Sequence, residues 1–140
     1  VAAAVAALSE ELGGPGRVGT VGFCYGGMLS AAVASRVPED LGAAVAYYPS
    51  QAADLLTDDV PSVPLLVHLG DRDQRVTPEH GRMLEARWPT AEFHHYDAGH
   101  GFNCDERPDF APDAAATAWQ RTVAFLDAHL GHPGGPGGAR

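Results

Sequence analysis

The sequence predicts a domain of the α/β class, in which helices cover both faces of a mostly parallel sheet. Two observations predict it. Four short apolar segments with the character of strands alternate along the chain with segments of helical character. The apolar segments are also almost uninterrupted, which is typical of strands buried on both faces of a parallel sheet. At 140 residues the chain is one domain at most, or part of one.

The predicted elements are bounded by glycine and proline. The helices are expected over residues 1–12, 26–37, 78–88 and from about residue 113 onward. The strands are expected over residues 17–23, 42–48, 63–69 and 91–96, and residues 49–61 are expected to form a polar loop. The first helix ends at Gly13-Gly14-Pro15-Gly16, and Pro38 ends the second. Thr77 caps the third helix and Pro78 opens it, because proline suits the first helical position.

The last helix carries an apolar stripe. Its members follow one another at steps of four, three and four residues and are Trp119, Val123, Leu126 and Leu130. This spacing predicts that Trp119 lies in the core. Gly131 ends the helix, and residues 132–140 form a Gly/Pro tail that is expected to be disordered.

Composition excludes several classes of function. The net charge of −9 disfavours non-specific binding to nucleic acid or to an anionic membrane, and no apolar stretch reaches the ~18 residues of a membrane span. The two cysteines indicate no disulfide framework, so a reducing, cytoplasmic setting is the expectation. The chain starts at Val1, inside a helical segment, and we therefore expect it to be a piece of a longer protein. The oligomeric state stays open.

Cys24 lies in the most informative segment, Gly22-Phe23-Cys24-Tyr25-Gly26-Gly27. A predicted strand precedes this segment and a predicted helix follows it. Strand, tight glycine turn and helix form the context of a nucleophile elbow, which holds one side chain outward on a strained turn. The exposed atom would be sulfur. A phosphate-binding loop is the weaker interpretation, since the segment lacks the Gly-Lys-Ser/Thr ending.

Polar residues follow two further strands. Gly70-Asp71-Arg72-Asp73 comes after the third, and Asp97-Ala98-Gly99-His100-Gly101-Phe102 comes after the fourth. The carboxyl ends of parallel strands collect function at one edge of the sheet. Nucleophile, acid and histidine therefore occur in the chain order of α/β-hydrolase triads.

These motifs closely resemble those of the dienelactone hydrolase family. The resemblance rests on the elbow, on Gly70-x-x-Asp73-x-x-Val76 and on Ala98-Gly99-His100-Gly101-Phe102. It also rests on the closing segment, from Arg107-Pro108-x-Phe110 through Ala118-Trp119-x-Arg121-Thr122. It implies an α/β-hydrolase fold that lacks its amino-terminal strands, with residues 1–131 as the carboxyl-terminal part of one domain. By the same resemblance, the missing part would hold the first strands and one loop of the oxyanion hole.

The resemblance implies a hydrolase that cleaves a carboxylic ester or lactone through an acyl thioester. Cys24 would be the nucleophile, His100 the base and Asp73 the acid that orients the imidazole, while the backbone N–H of Tyr25 would donate to the oxyanion. The expected partner is a small-molecule ester or lactone, with no cofactor and no metal. The family's arginine shortly after the histidine is absent here, where Asn103-Cys104-Asp105 stands, so the resemblance implies the class of reaction and not dienelactone as the substrate.

Several alternatives stay open. Asp71 competes with Asp73 as the acid, and the strand residues His94 and His95 compete with His100. The aromatic residues expected to line a substrate pocket are Tyr47, Tyr48 and Phe102, although packing is an equal interpretation for the two tyrosines. His68 is expected to be a hydrogen-bonded core residue, and Cys104 is expected to be a bystander. The function alternatives are an inactive fragment that retains the elbow and a thiol-dependent acyltransferase on the same fold.

Overall fold

The computed structural model describes residues 1–37 and 39–130 and shows helices alternating with parallel strands. The helices are α1 (Ala2–Glu11), α2 (Tyr25–Arg36), α3 (Ala52–Leu55), α4 (Pro78–Arg87) and α5 (Pro112–Leu130). The strands are β1 (Val18–Phe23), β2 (Leu41–Tyr47), β3 (Leu65–Gly70) and β4 (Glu92–Tyr96). All four predicted strands are present, with ends that differ from the prediction by no more than two residues. The expected tail, 132–140, lies outside the described residues.

The four strands form one parallel sheet in the order β1-β2-β3-β4. Each strand therefore lies beside its successor in the chain. Because all strands point the same way, their carboxyl ends meet at one edge, as the sequence predicts. The segments that follow β1, β2, β3 and β4 are thereby brought together.

Helices cover both faces of the sheet, which agrees with the predicted class. Thr20 of β1 bonds Ser30 of α2, with 2.8 Å between the hydroxyl oxygens. A Cβ on its neighbour Gly19 would instead lie 2.9 Å from Leu130 of α5. Since successive strand residues point to opposite faces, α2 and α5 lie on opposite sides of the sheet.

The prediction that Trp119 belongs to the core is wrong. Trp119 is 53% exposed and Val123 is 42% exposed. The buried positions of α5 are Ala118, Thr122 and Phe125, so the contact face is rotated by about one residue from the apolar stripe. The rotation brings the Thr122 hydroxyl to polar partners inside the protein, which hydrophobic periodicity does not register.

The expected polar loop after β2 contains the short helix α3. Ala52 and Ala53 of this helix are buried, and Leu56 just beyond it is 2% exposed. Four residues are too few to show a helical period in the sequence. The helix begins two residues after Ser50, in the segment that passes next to the elbow.

Candidate active site

Cys24 stands at the sharp turn between β1 and α2. Its φ is 56°, a left-handed conformation that is uncommon for a residue other than glycine. Its backbone N–H donates to the carbonyl of Tyr47 at 3.0 Å, and its carbonyl accepts from the N–H of Ser50 at 3.1 Å. A Cβ on Gly22 would collide with the backbone carbonyl of Gly26. The glycine is therefore required for β1 and α2 to approach so closely.

Asp73 lies in the loop after β3 and is 3% exposed. Its Oδ1 accepts from the backbone N–H groups of Arg75, at 2.7 Å, and Val76, at 2.9 Å. Its Oδ2 lies 2.8 Å from Nδ1 of His100. Two backbone donors thus hold one carboxylate oxygen, and the other oxygen is aimed at the imidazole.

His100 lies in the loop after β4 and is 7% exposed. Its Nε2 lies 3.1 Å from Sγ of Cys24, while its Nδ1 contacts Asp73. The backbone N–H of Arg72 donates to the carbonyl of Ala98 at 3.0 Å, which joins the acid loop to the histidine loop. The structure therefore brings together Cys24, His100 and Asp73, each from the carboxyl end of a different strand.

The competing residues lie elsewhere. Oδ1 of Asp71 is 2.9 Å from Nδ1 of His95, whose Nε2 is 2.7 Å from Oε1 of Glu85 on α4. His94 contacts Glu92, two residues away on the same strand, at 2.6 Å. Neither Asp71 nor the strand histidines take part in the hydrogen bonds that join His100 to Cys24.

His68 is a core residue, as expected. Its side chain is fully buried, with Nδ1 2.9 Å from the Tyr96 hydroxyl and Nε2 3.0 Å from Oγ1 of Thr122. Burial, helped by the charges of His94 and Arg121, lowers its pKa to about 3. The imidazole is therefore neutral at neutral pH and acts as a polar member of the core.

The surroundings of Cys24 favour its thiolate. Partial burial raises the pKa of the thiol, but hydrogen bonds with Ser50, His100 and the Tyr25 N–H, together with the charge of His100, outweigh burial and bring the pKa below its usual value. The contact with Asp73 raises the pKa of His100 against the opposing effect of burial, and Cys24 adds to the rise. Both shifts favour a thiolate facing an imidazolium.

The three aromatic residues expected around a pocket are all buried. Tyr47 and Phe102 are 0% exposed, and the Tyr47 hydroxyl is bonded to Thr122 at 2.7 Å. These two residues pack in the core. Tyr48 is 3% exposed, and its ring meets the His100 ring edge-on at 5.0 Å between centroids. Tyr48 is therefore the one of the three that adjoins the imidazole, and burial raises its pKa to about 12.

Ser50 was not singled out in the sequence. Its Oγ lies 3.4 Å from Sγ of Cys24, and the residue is 9% exposed. Its position three residues after the last residue of β2 is a signal that could have found it, because function collects where parallel strands end. No sequence motif includes Ser50, because a single serine in a segment expected to be an irregular loop matches none.

The cysteines and the other candidate features add no second centre within the described ranges. Cys24 and Cys104 are both free thiols. Over residues 1–37 and 39–130, no group of three or more histidine, cysteine or acidic side chains is arranged to hold a metal ion. Over the same residues, no helix combines the length and apolarity that crossing a bilayer requires.

Comparison with known proteins decides the family. The sequence model of the dienelactone hydrolase family matches residues 1–130. The chain belongs to the dienelactone hydrolase family. This confirms the resemblance inferred from the elbow, acid and histidine motifs.

Individual relatives agree with this membership. The chain is 34% identical over 116 residues to carboxymethylenebutenolidase 1 of Cupriavidus pinatubonensis, a match that covers 79% of the chain and 48% of the relative. It is 32% identical over 115 residues to a carboxymethylenebutenolidase of Pseudomonas sp., with coverage of 79% and 48%. The chain thus spans about half the length of the curated relatives it matches.

A solved structure supports the fold. The crystal structure of a candidate dienelactone hydrolase from Klebsiella pneumoniae superposes with a TM-score of 0.75 at 28% identity, and the match covers 89% of this chain and 58% of that one. The family member described here therefore has an α/β-hydrolase fold, which confirms the predicted class.

Proposed function

We propose that this chain carries the reacting groups of a hydrolase that cleaves a carboxylic ester or lactone. Cys24 is the nucleophile, His100 the general base and Asp73 the acid that orients the imidazole. One observation carries the proposal: the unbroken line of contacts from Cys24 Sγ through His100 to Asp73, with distances of 3.1 and 2.8 Å. A nucleophile, a base in reach of it and a third group that orients the base constitute the recurring arrangement of nucleophilic catalysis.

The first half of the reaction forms an acyl thioester. The proton of the Cys24 thiol passes to Nε2 of His100, and the thiolate attacks the carbonyl carbon of the substrate. The carbonyl oxygen becomes an oxyanion, to which the backbone N–H of Tyr25 donates a hydrogen bond. When the C–O bond of the ester breaks, the leaving alkoxide takes the proton from His100. In a lactone this alcohol stays attached to the acyl group.

The second half releases the acid. His100 removes a proton from a water molecule, whose oxygen attacks the thioester carbonyl. The C–S bond breaks, the carboxylic acid leaves, and the sulfur departs as the thiolate that faces the imidazolium again. Asp73 stays ionised throughout, and it stabilises the charge on the imidazole and holds Nε2 toward the sulfur.

The names of the relatives support the proposed class of substrate. Two of the matched relatives bear the name carboxymethylenebutenolidase, which denotes opening of a lactone ring. Asn103, Cys104 and Asp105 occupy the place where the family pattern has its arginine. We therefore propose a small-molecule ester or lactone as substrate and do not assign dienelactone.

Hydrolysis of p-nitrophenyl acetate by the unaltered protein and by Cys24→Ala, His100→Ala and Cys104→Ala variants tests the proposal. The first two substitutions should reduce the rate to background, because each removes a group that contacts the reacting atoms or their proton. Cys104→Ala should keep the rate, since Cys104 lies outside the line of contacts and controls for thiol chemistry in general. Equal rates in all four proteins, or no rate above background in the unaltered protein, would contradict the proposal.

A further inference from the structure

Ser50 makes two contacts with Cys24, one through the backbone and one through the side chain. Its N–H donates to the Cys24 carbonyl at 3.1 Å, and the two side-chain atoms Oγ and Sγ lie 3.4 Å apart. Hydrogen bonds to sulfur are longer than those between nitrogen and oxygen because the sulfur atom is larger. Over residues 1–37 and 39–130, the Ser50 hydroxyl has no side-chain hydrogen bond other than this one.

The backbone around Ser50 is held in an unusual shape. Tyr48 has a φ of 35° and Gln51 a φ of 64°, and both are left-handed conformations that cost energy in residues other than glycine. The Tyr48 N–H donates to the carbonyl of His68 at 2.7 Å, which ties the turn to β3. Strain of this kind persists only where the surroundings impose it. The turn thus delivers the Ser50 hydroxyl to a defined position beside the sulfur.

The chemistry of the two groups gives the contact a direction. A thiolate can only accept a hydrogen bond, and the serine hydroxyl can donate one. His100 approaches the same sulfur from the loop after β4. When the proton has moved to the imidazole, the sulfur therefore has donors in His100 and Ser50 beside the backbone N–H of Tyr25.

We propose that Ser50 is a positioning residue whose hydroxyl donates to the thiolate of Cys24 and keeps the sulfur ionised and aligned with His100. The inference rests on the proposed role of Cys24 as nucleophile. The hydroxyl contacts the sulfur itself, which also accepts from the Tyr25 N–H, and the hydroxyl is assigned no role at the oxyanion. Loss of the Ser50 hydroxyl should therefore reduce the ionised fraction of Cys24 at neutral pH more than it reduces the reactivity of the thiolate that has formed.

Few ionisable groups lie close enough to Cys24 to change its pKa in the way proposed for Ser50. His100 contacts the sulfur and Asp73 lies behind it. Tyr48 adjoins the His100 ring and interacts with Cys24, but its pKa of about 12 keeps it neutral over the useful pH range. Arg107 and Cys104 act on Tyr48 through their charges. Ser50 itself does not titrate, so any change in its variant reports on the sulfur.

The pH dependence of alkylation of Cys24 by iodoacetamide tests the proposal, with labelling at Cys24 and Cys104 resolved by mass spectrometry. Ser50→Ala should move the midpoint for Cys24 to higher pH and slow alkylation at pH 7 about tenfold, with the rate at high pH unchanged. Ser50→Thr keeps the hydroxyl and should restore the midpoint. Ser50→Gly is a second truncation in case the alanine variant fails to fold.

Ser30→Ala is the matched control. Ser30 is 4% exposed and its hydroxyl bonds Thr20, so its removal also deletes a buried hydroxyl while leaving Cys24 untouched. An unchanged midpoint in folded Ser50→Ala, or an equal shift in Ser30→Ala, would overturn the proposal. The assay needs no turnover. If Ser50→Ala shifts the midpoint but the unaltered protein has no esterase activity, only the proposed function is contradicted. If the unaltered protein has esterase activity but Ser50→Ala does not shift the midpoint, only the role of Ser50 is contradicted.

Discussion

Oδ2 of Asp73 lies 2.8 Å from Nδ1 of His100, although the two residues are 27 positions apart in the sequence. The other oxygen of the same carboxylate accepts two backbone hydrogen bonds. Asp71, in the same loop, contacts His95 instead. Two acids in one loop thus have separate partners, and a pair of matched substitutions can distinguish their roles.

Asp73→Asn should lower the rate of ester hydrolysis by at least about a hundredfold. An asparagine amide can donate to Nδ1, which turns the imidazole to the tautomer with its proton on Nε2, where it cannot accept one from Cys24. Asp71→Asn should leave the rate within about threefold of the unaltered protein, because only the contact with His95 changes. Measurement of kcat/KM for both variants checks this, and a larger loss in Asp71→Asn would reverse the assignment.

Gly22→Ala should prevent the elbow from forming. The added Cβ would collide with the backbone of Gly26 and Gly27, which cannot move without separating β1 from α2. We expect a loss of about 3 kcal/mol or more in the free energy of unfolding, or no folded protein at all.

Gly26→Ala is the matched control for this change, because nothing lies within 4 Å of the position of its Cβ. It should leave the free energy of unfolding unchanged or raise it by up to about 1 kcal/mol, since alanine favours a helix more than glycine does. Urea unfolding followed by circular dichroism measures both variants. Similar stabilities in the two would show that the close approach at Gly22 is not required.

Thr122→Val should destabilise the core by about 1–3 kcal/mol. The Thr122 hydroxyl is hydrogen-bonded both to the Tyr47 hydroxyl, at 2.7 Å, and to Nε2 of His68, at 3.0 Å. Valine has no hydroxyl and would leave both groups without this partner. Thr117→Val removes a half-buried hydroxyl that donates to the carbonyl of Asp113 in the same helix, and it should change stability by no more than about 0.5 kcal/mol. Equal effects in a urea titration would indicate that the buried polar network adds nothing to stability.

His68 should make the protein less stable as pH falls from about 6.5 toward 3. Burial lowers its pKa to about 3 in the folded protein, whereas an unfolded histidine titrates near ~6.5. Between these values the unfolded state binds more protons, so stability rises with pH by up to about 1.4 kcal/mol per pH unit. His68→Gln removes this dependence.

Comparison of the two proteins between pH 5 and 6.5 isolates the effect. The carboxylates are the same in both proteins, so their contributions cancel. The raised pKa values of His95 and His100 act in the opposite direction to His68, but they too are common to both proteins and cancel. The unfolding free energy of the unaltered protein should therefore have the steeper slope. Parallel curves would mean that His68 has the same pKa in the folded and unfolded states.

Much of the fold follows from the sequence because its signals are local. Apolar runs bounded by glycine and proline predicted all four strands, and Thr77-Pro78 located the start of α4 at Pro78. Where the signal was not local, the prediction failed. The stripe through Trp119 has a helical period, but the face of α5 that meets the sheet is set by the small Ala118 and by the polar partners of Thr122.

The elbow motif and the order of nucleophile, acid and histidine could be found in the sequence, because each residue follows a strand and the strands are parallel. That information by itself determined the class of fold, the family resemblance and the candidate residues Cys24, His100 and Asp73. Only the tertiary structure decided which acid meets His100 and that Ser50 meets Cys24. The reason is physical: these contacts depend on how separate loops approach at the edge of the sheet, within a few tenths of an ångström, and no spacing along a single chain records that distance.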